Sequence, residues 1–467
     1  MARNMARAPA RAGPSVMTAL RRLAAPCPCS AMARIVRPVR YRFVSAALAR
    51  PVPPQPRPAT DGLRGRADIL LLLVLAVPTA YVDWQIVRVW SWPPAWSATW
   101  LGLTLLAAGL GVVWLDGREL VAPLVAASLY AGPIITAIAR LHFVPSPVAL
   151  IGDGALQTQQ AGDLLLHGTD PYGADYAALG LGRTPWAEPF PNPALHHTVF
   201  WPGQFLLPLP LQALSQTVLH WWDQRVFLLL AGVAIWILLR QLLPGTAGRA
   251  AAVAFFLVPG HSLVAVLGDN DLAMVALLLG ALVAAQRRRF LLMGLLLGLA
   301  VATKQHALLA APFIVWWALA RGASLPVVAR SAASGMAALV AVLLPFVLWS
   351  PHAFIQDTVV FVTGGGTDAY PINGFGLSAL LLSAGVIHGS RDSFPFAPIE
   401  AVVGIALWVF GYVWIRARRQ LPDVLIFSGL TALSVLFVSR YFHDTHLLLG
   451  LELMGAGFIG RLRVLQP

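Results

Sequence analysis

Residues 287–321 read RRRFLLMGLLLGLAVATKQHALLAAPFIVWWALAR. Two apolar runs, Phe290–Thr303 and His306–Ala320, meet at Lys304-Gln305 and are closed at their outer ends by arginine. Lys and Arg collect on the cytoplasmic side of membrane proteins, so this pattern is a helical hairpin that crosses a bilayer and returns. A backbone in hydrocarbon must satisfy its own hydrogen bonds, which leaves helices or a closed barrel, and these runs lack the alternation of a barrel strand.

The same reading extends along the chain. Apolar runs of roughly the 20 residues needed to cross a ~30 Å core recur from Asp68 onward. The expected spans are Asp68–Trp90, Ala95–Leu115, Glu119–Ala139, Val226–Leu243, Ala250–Leu267, Asp271–Ala285, Phe290–Thr303, His306–Ala320, Ser331–Trp349, Pro398–Ile415, Val424–Val438 and His446–Gly460. Two further apolar stretches, Pro202–Val218 and Phe375–His388, are judged by charge. If neither crosses, the basic clusters at Arg118, Arg240 and Arg249, Arg287 to Arg289, Arg321 and Arg330, Arg416 to Arg419, and Arg461 and Arg463 all face the cytoplasm. If both cross, five of those positions or groups turn outward, against the rule. The expectation is therefore an all-α polytopic bundle of about 12 spans in the plasma membrane, with both termini cytoplasmic and the two leftover stretches lying outside as re-entrant or surface helices. Pro202, Pro208 and Pro210 suit the first of these to a short bent element.

Composition agrees with this class. The chain is 58% hydrophobic and 11% charged, with a net charge of +13. Of its 33 basic residues, 13 fall within the first 67 positions and most others abut apolar spans, so the charge is that of membrane orientation and no nucleic acid is implied. Cys27 and Cys29 provide neither a disulfide framework nor a second pair for zinc. Residues 1–66 are rich in Arg, Pro and Ala and are expected to form a disordered cytoplasmic tail, unless translation begins later, for example at Met32. The remaining divisions are 67–140 with three spans, 141–225 as a large external loop, and 226–467 as the rest of the bundle with a second external loop at 350–397.

Between the apolar runs, the external loop is a polar stretch that carries Asp153, Asp163, Asp170, Asp175, Glu188, His196 and His197. Asp153 precedes Ala155–His167, a stretch expected to form an amphipathic surface helix with Leu156, Ala161, Leu164 and Leu165 inward and Gln157, Gln160 and Asp163 toward water. There Asp153 is either a helix cap or, partly desolvated at the interface, a general base for a sugar hydroxyl. Gly268-Asp269-Asn270-Asp271 is either a capping polar hairpin or a binder of sugar hydroxyls, with a divalent cation as the weaker reading. Lys304 is the only lysine in the chain and sits in an otherwise apolar stretch, where it either snorkels or partners an anionic phosphate. In Ser439–His446, Arg440 and His443 are candidate phosphate contacts or part of an interfacial belt, and zinc at His443 and His446 lacks further ligands. No Walker loop, dinucleotide fingerprint, Gly-x-Ser-x-Gly elbow or His-Glu-x-x-His is present.

Four stretches together resemble the GT-C superfamily of integral-membrane glycosyltransferases, and within it the bacterial polyprenyl-phosphate-mannose-dependent α-mannosyltransferases. They are Gly-Asp153 followed by Leu-Leu-x-x-Gly-x-Asp-Pro-Tyr172; Val-Phe-Trp-Pro202 leading into Leu-Pro-Leu-Pro; Gly-Asp-Asn-Asp271; and Gly-Leu-x-x-Ala-Thr-Lys304-Gln. The resemblance implies a polyprenyl-phosphate-linked sugar donor, transfer of a hexose to a glycolipid or glycan acceptor outside the cytoplasm, and a single displacement with inversion. It implies Asp153 as base, Lys304, Arg440 and His443 at the lipid phosphate, and Asp170, Tyr172, His197, Asp269 and Asp271 around sugar or acceptor, with no cofactor required. A transporter or flippase would instead place charges near the bilayer midplane on broken helices. A non-catalytic polytopic protein is the third class.

Overall fold

In their described parts the expected spans fall on helices, one of them on two, because an apolar run in lipid has no other way to satisfy its backbone. The computed structural model describes residues 75–85, 94–113, 118–144, 151–186, 190–364 and 369–464, all within one compact unit. The expected disordered tail at 1–66 lies outside these residues, as do Glu188 and Asp368.

Among the described residues, four helices are long and apolar enough to cross a membrane: Val121–Phe143, Gln224–Leu242, Leu325–Trp349 and Phe396–Arg418. Five shorter apolar helices accompany them, Ala98–Leu110, Asp271–Gln286, Phe290–Thr303, Ala307–Ala320 and Leu421–Phe437. The chain is thus an all-α, multi-pass membrane protein. The expected straight span Ala250–Leu267 is instead broken into Gly245–Phe256 and His261–Leu267, bent by 64°. Pro259 has no amide to donate, and Gly260 takes φ +94°, so the helix cannot run through this point. The stretch at 202–218 forms Gly203–Leu206 and Leu209–Leu219, and the stretch at 375–388 forms Leu377–Ser383. At 1.5 Å per residue none of these reaches across a ~30 Å core.

Small residues bring the long helices together. A Cβ on Gly294 would stand 1.8 Å from the Ser331 carbonyl oxygen, and one on Gly298 would stand 2.0 Å from that of Gly335. The backbones of Phe290–Thr303 and Leu325–Trp349 therefore touch directly, as small residues four apart on each helix permit. Ser331 Oγ donates to the Phe290 carbonyl at 2.6 Å and fixes the register. Toward the chain's end, Leu421–Phe437 and Asp444–Val464 close in the same way, at Gly429, Gly450 and Gly457. Outward faces of Leu325–Trp349 and Phe396–Arg418 stay apolar and exposed, Leu348 at 72% and Val402 at 70%, as lipid-facing surfaces do.

The surface helix is Asp153–Leu166; Ala161 is buried as expected, with Leu156 and Leu165 packed against buried neighbours, but Gln157 and Gln160 turn inward as well. Gln157 is 1% and Gln160 8% exposed, whereas Leu166 is 40% exposed. The glutamines turn inward because the irregular loop that follows needs donors. Gln157 Nε2 donates to the carbonyls of Ala194 and His197 at 2.7 and 2.9 Å, and Gln160 Nε2 to Leu179 at 2.9 Å. Buried loop carbonyls left without such partners would be costly. The stretch at 369–397 is tied down by a two-residue parallel pairing of Asn373–Gly374 with Tyr441–Phe442.

Candidate functional site

Asp153 opens its helix without capping it. The capping position is Gly152, whose amide donates to Leu267 at 2.7 Å and fastens the helix to the bent segment His261–Leu267. The buried guanidinium of Arg225 grips that segment from the other side, donating to Val266 at 3.0 Å while paired with Asp223. Asp153 Oδ1 accepts from the Gly154 amide at 2.8 Å, and Oδ2 accepts from Asn192 Nδ2 at 2.9 Å. Both carboxylate oxygens are thus oriented, and the residue lines a cavity of about 990 Å³.

Lys304 and His443 line the same cavity, with Asn270, Tyr441 and His446. Lys304 follows the last residue of Phe290–Thr303, with its Nζ 2.7 Å from Asp271 Oδ1. Asp271 is 1% exposed and Asp269 4%, and Asp269 Oδ1 accepts from the Asp271 amide at 2.8 Å. The two aspartates lie behind Lys304, while Asn270 of the same tetrad faces the cavity. Burial pushes the Asp269 carboxyl up to about 8, aided by the negative charges of Asp271 and Glu452. Burial opposes the charge on Lys304, but Asp271 and Asp269 outweigh it and raise the ammonium above its ordinary value. The ammonium has three donors and spends one on Asp271, so an anion entering the cavity meets a fixed positive charge.

Other expected site residues lie outside this cavity. Tyr172 is 4% exposed within a cluster of Phe205, Phe346 and Phe354, its hydroxyl donating to the Phe200 carbonyl at 2.9 Å. Asp170 accepts from the Tyr172 amide at 3.0 Å and from the Ser350 hydroxyl. His197 Nδ1 lies 2.8 Å from Asp357 Oδ1, and its ring stacks on Phe361 at 4.1 Å. These three secure the loop that roofs the cavity. Arg440 is 4% exposed and donates to the carbonyls of Tyr370, Asp392 and Ser390 at 2.7, 2.9 and 3.2 Å, which anchors the stretch at 369–397.

Sequence reasoning missed Asn192, which holds the base candidate, and Asp357, which binds His197 and the amides of Gly173 and Thr198. Asp357 sits in a π-helical segment, Gln356–Val360, 160 residues from His197, and no spacing rule links them. Among the described residues no group of three His, Cys, Asp or Glu side chains is arranged to hold a metal ion.

A second cavity, of about 610 Å³, adjoins the first and shares Tyr441 and His446 with it. Its walls include Leu308, Leu309, Ile405, Trp408 and Leu436, from the helices Ala307–Ala320, Phe396–Arg418 and Leu421–Phe437. Gln305, His306, Glu400 and Arg440 add polar groups to this second cavity, which runs between helices beside the chamber that holds Asp153 and Lys304.

No curated protein matches the chain. The family model for glycosyltransferase family 87 matches residues 201–439, a little over half of the chain, and covers Asp269, Asp271, Lys304 and Asp357. Asp153 comes from the preceding loop. This chain belongs to glycosyltransferase family 87 and is a membrane glycosyltransferase.

Proposed function

We propose that the protein transfers a hexose, mannose being the first candidate, from a polyprenyl-phosphate-linked donor to a hydroxyl of a glycolipid or glycan acceptor outside the cytoplasm. The observation that carries this reading is the adjacency of two cavities: a chamber lined by Asp153 and Lys304, and beside it a groove whose helical walls include Leu308, Leu309, Ile405 and Trp408. A lipid-linked sugar phosphate needs both, polar groups for its head and apolar walls for its chain. Its chain belongs among Leu308, Ile405 and Trp408, its phosphate near Lys304 and His443, and its sugar toward Asp153.

Asp153 takes the proton of the acceptor hydroxyl as the oxygen attacks the anomeric carbon. The bond from that carbon to the phosphate oxygen breaks, and the electron pair leaves with the phosphate. Attack opposite the leaving group inverts the anomeric centre. Lys304 stabilises the charge gathering on the departing phosphate, a role in which a preorganised cation is most effective. Asp271, itself bonded through its amide to Asp269, holds the ammonium in place, so the position where a divalent cation would assist is served by Lys304. Twelve spans, cytoplasmic termini and an external chamber in the plasma membrane complete this reading.

The test is transfer of radiolabelled mannose from polyprenyl-phosphate-mannose into membranes carrying the intact protein or Asp153→Asn. Label should reach an acceptor only with the intact protein, with transfer reduced ~10²- to 10⁴-fold in the variant. Equal transfer by both would remove Asp153 as base. No transfer by the intact protein from this or any other polyprenyl-phosphate sugar would overturn the donor class.

A further inference from the structure

At the opposite end of Phe290–Thr303 from Lys304, about 21 Å away at 1.5 Å per residue, a cavity of about 440 Å³ is lined by Arg288, Arg289, Phe290, Leu291, Leu292, Val327 and Arg330. No acidic side chain lines it. The two helices meeting here run parallel, since Gly294 meets Ser331 and, four residues on, Gly298 meets Gly335. Their amino-terminal ends therefore lie side by side. Each end carries partial positive charge, and neither helix has an acidic residue in its first turn or a side-chain cap. Three guanidinium groups add to that charge. Arg330 spends only Nε, on the Pro326 carbonyl at 3.4 Å, whereas the neighbouring Arg287 turns away to Gln241.

Two parallel dipoles and three arginines repel one another unless an anion stands between them. The surroundings say what carries it: Leu291 is 62% and Leu325 73% exposed, both facing the lipid. We infer that this cavity binds the phosphate of an acidic phospholipid headgroup, with the acyl chains lying along Leu291 and Leu325. The guanidinium groups fork onto the phosphate oxygens, and the first-turn amides of Phe290–Thr303 complete the cradle. Holding a headgroup here also draws the bilayer surface to the start of a 14-residue helix that is short for a ~30 Å core. The site is separate from the transfer chamber and does not depend on the donor assigned there.

The test is binding of a fluorescent phosphatidylglycerol to the purified full chain in detergent, with phosphatidylcholine and inorganic phosphate as competitors. The combined variant Arg288→Gln/Arg289→Gln/Arg330→Gln should bind at least roughly tenfold more weakly. Arg321→Gln/Arg416→Gln, which removes two other exposed arginines, should bind as the intact protein does. Should the triple variant fail to purify, Arg330→Gln alone should still weaken binding about threefold. Unchanged affinity in the triple variant, or in Arg330→Gln where it stands in, would overturn the site. Equal competition by phosphatidylcholine would overturn its charge selectivity, and displacement by inorganic phosphate at the lipid's own concentration would overturn its preference for a lipid.

Discussion

At the scale of single residues, the ion pair of Lys304 with Asp271 separates catalysis from stability. Lys304→Met removes the charge offered to a leaving phosphate and should lower kcat about 10²- to 10³-fold, as loss of one oxyanion donor does elsewhere. Asp271→Asn leaves the ammonium without its partner and should destabilise the fold by about 3 kcal/mol, read as a lower thermal midpoint in detergent. Combining Lys304→Met with Asp271→Leu should restore the midpoint, because an apolar pair replaces a buried ionic one, yet leave transfer low. Recovery of transfer in the double variant would make the pair structural. Asp269 adds a pH dependence whose sign follows from its raised value of about 8. Between pH 4 and 8 the folded chain keeps a proton that the unfolded chain releases, so stability falls as pH rises through this window. Asp269→Asn should flatten the decline of thermal midpoint between pH 5 and 8, and an unaltered slope would assign the decline elsewhere.

At the scale of elements, the base helix is positioned by a contact that leaves no room for a side chain. A Cβ on Gly268 would meet that of Ala155 at 2.3 Å, and the residue already takes φ +100°. Gly268→Ala should push the start of Asp153–Leu166 away from the bent segment. It should lower kcat roughly 10²-fold, since a displacement of about 1 Å at a reacting group costs that much. KM for the donor should change far less, because Lys304 belongs to another helix; a loss confined to KM would argue against this linkage. The bent segment is braced at its other end by His261, paired with Glu452, and by Ser262, paired with Asp83. None of these pairings was legible in the sequence, since each joins residues more than 170 positions apart. What hydropathy did report was the place of most long helices, Phe290–Thr303 among them, and of the short pieces around Pro208. It did not report the inward turn of Gln157 and Gln160, because periodicity assumes polar residues seek water, whereas these two answer buried loop carbonyls. Nor did it report that Arg440, which lines the second cavity, gives donors to three carbonyls.

At the scale of the whole molecule, the expected topology rests on where the charges fall along the chain. Of the candidate site residues, Asp153, Lys304 and His443 come from three separate parts of the chain and line one chamber. Arg287 to Arg289 and Arg330 lie at the other end of the helix that Lys304 terminates. An external chamber therefore requires those arginines to be cytoplasmic. The position that discriminates is Arg287, for it turns outward if the stretches at 202–218 and 375–388 both cross the membrane, while Arg418 faces inward either way. In a chain carrying Cys27→Ser and Cys29→Ser, single cysteines at Ala384, Arg287 and Arg418 can be challenged with a membrane-impermeant maleimide. Ala384→Cys, on an exposed turn of the loop expected outside, should react in intact cells. Arg287→Cys and Arg418→Cys should react only after permeabilisation. Reaction of Arg287→Cys in intact cells would invert the central helices, move Lys304 and the chamber to the cytoplasm, and exclude an external acceptor. The charge rule favours the first result because one assumption, that neither short stretch crosses, places every basic cluster on the same side.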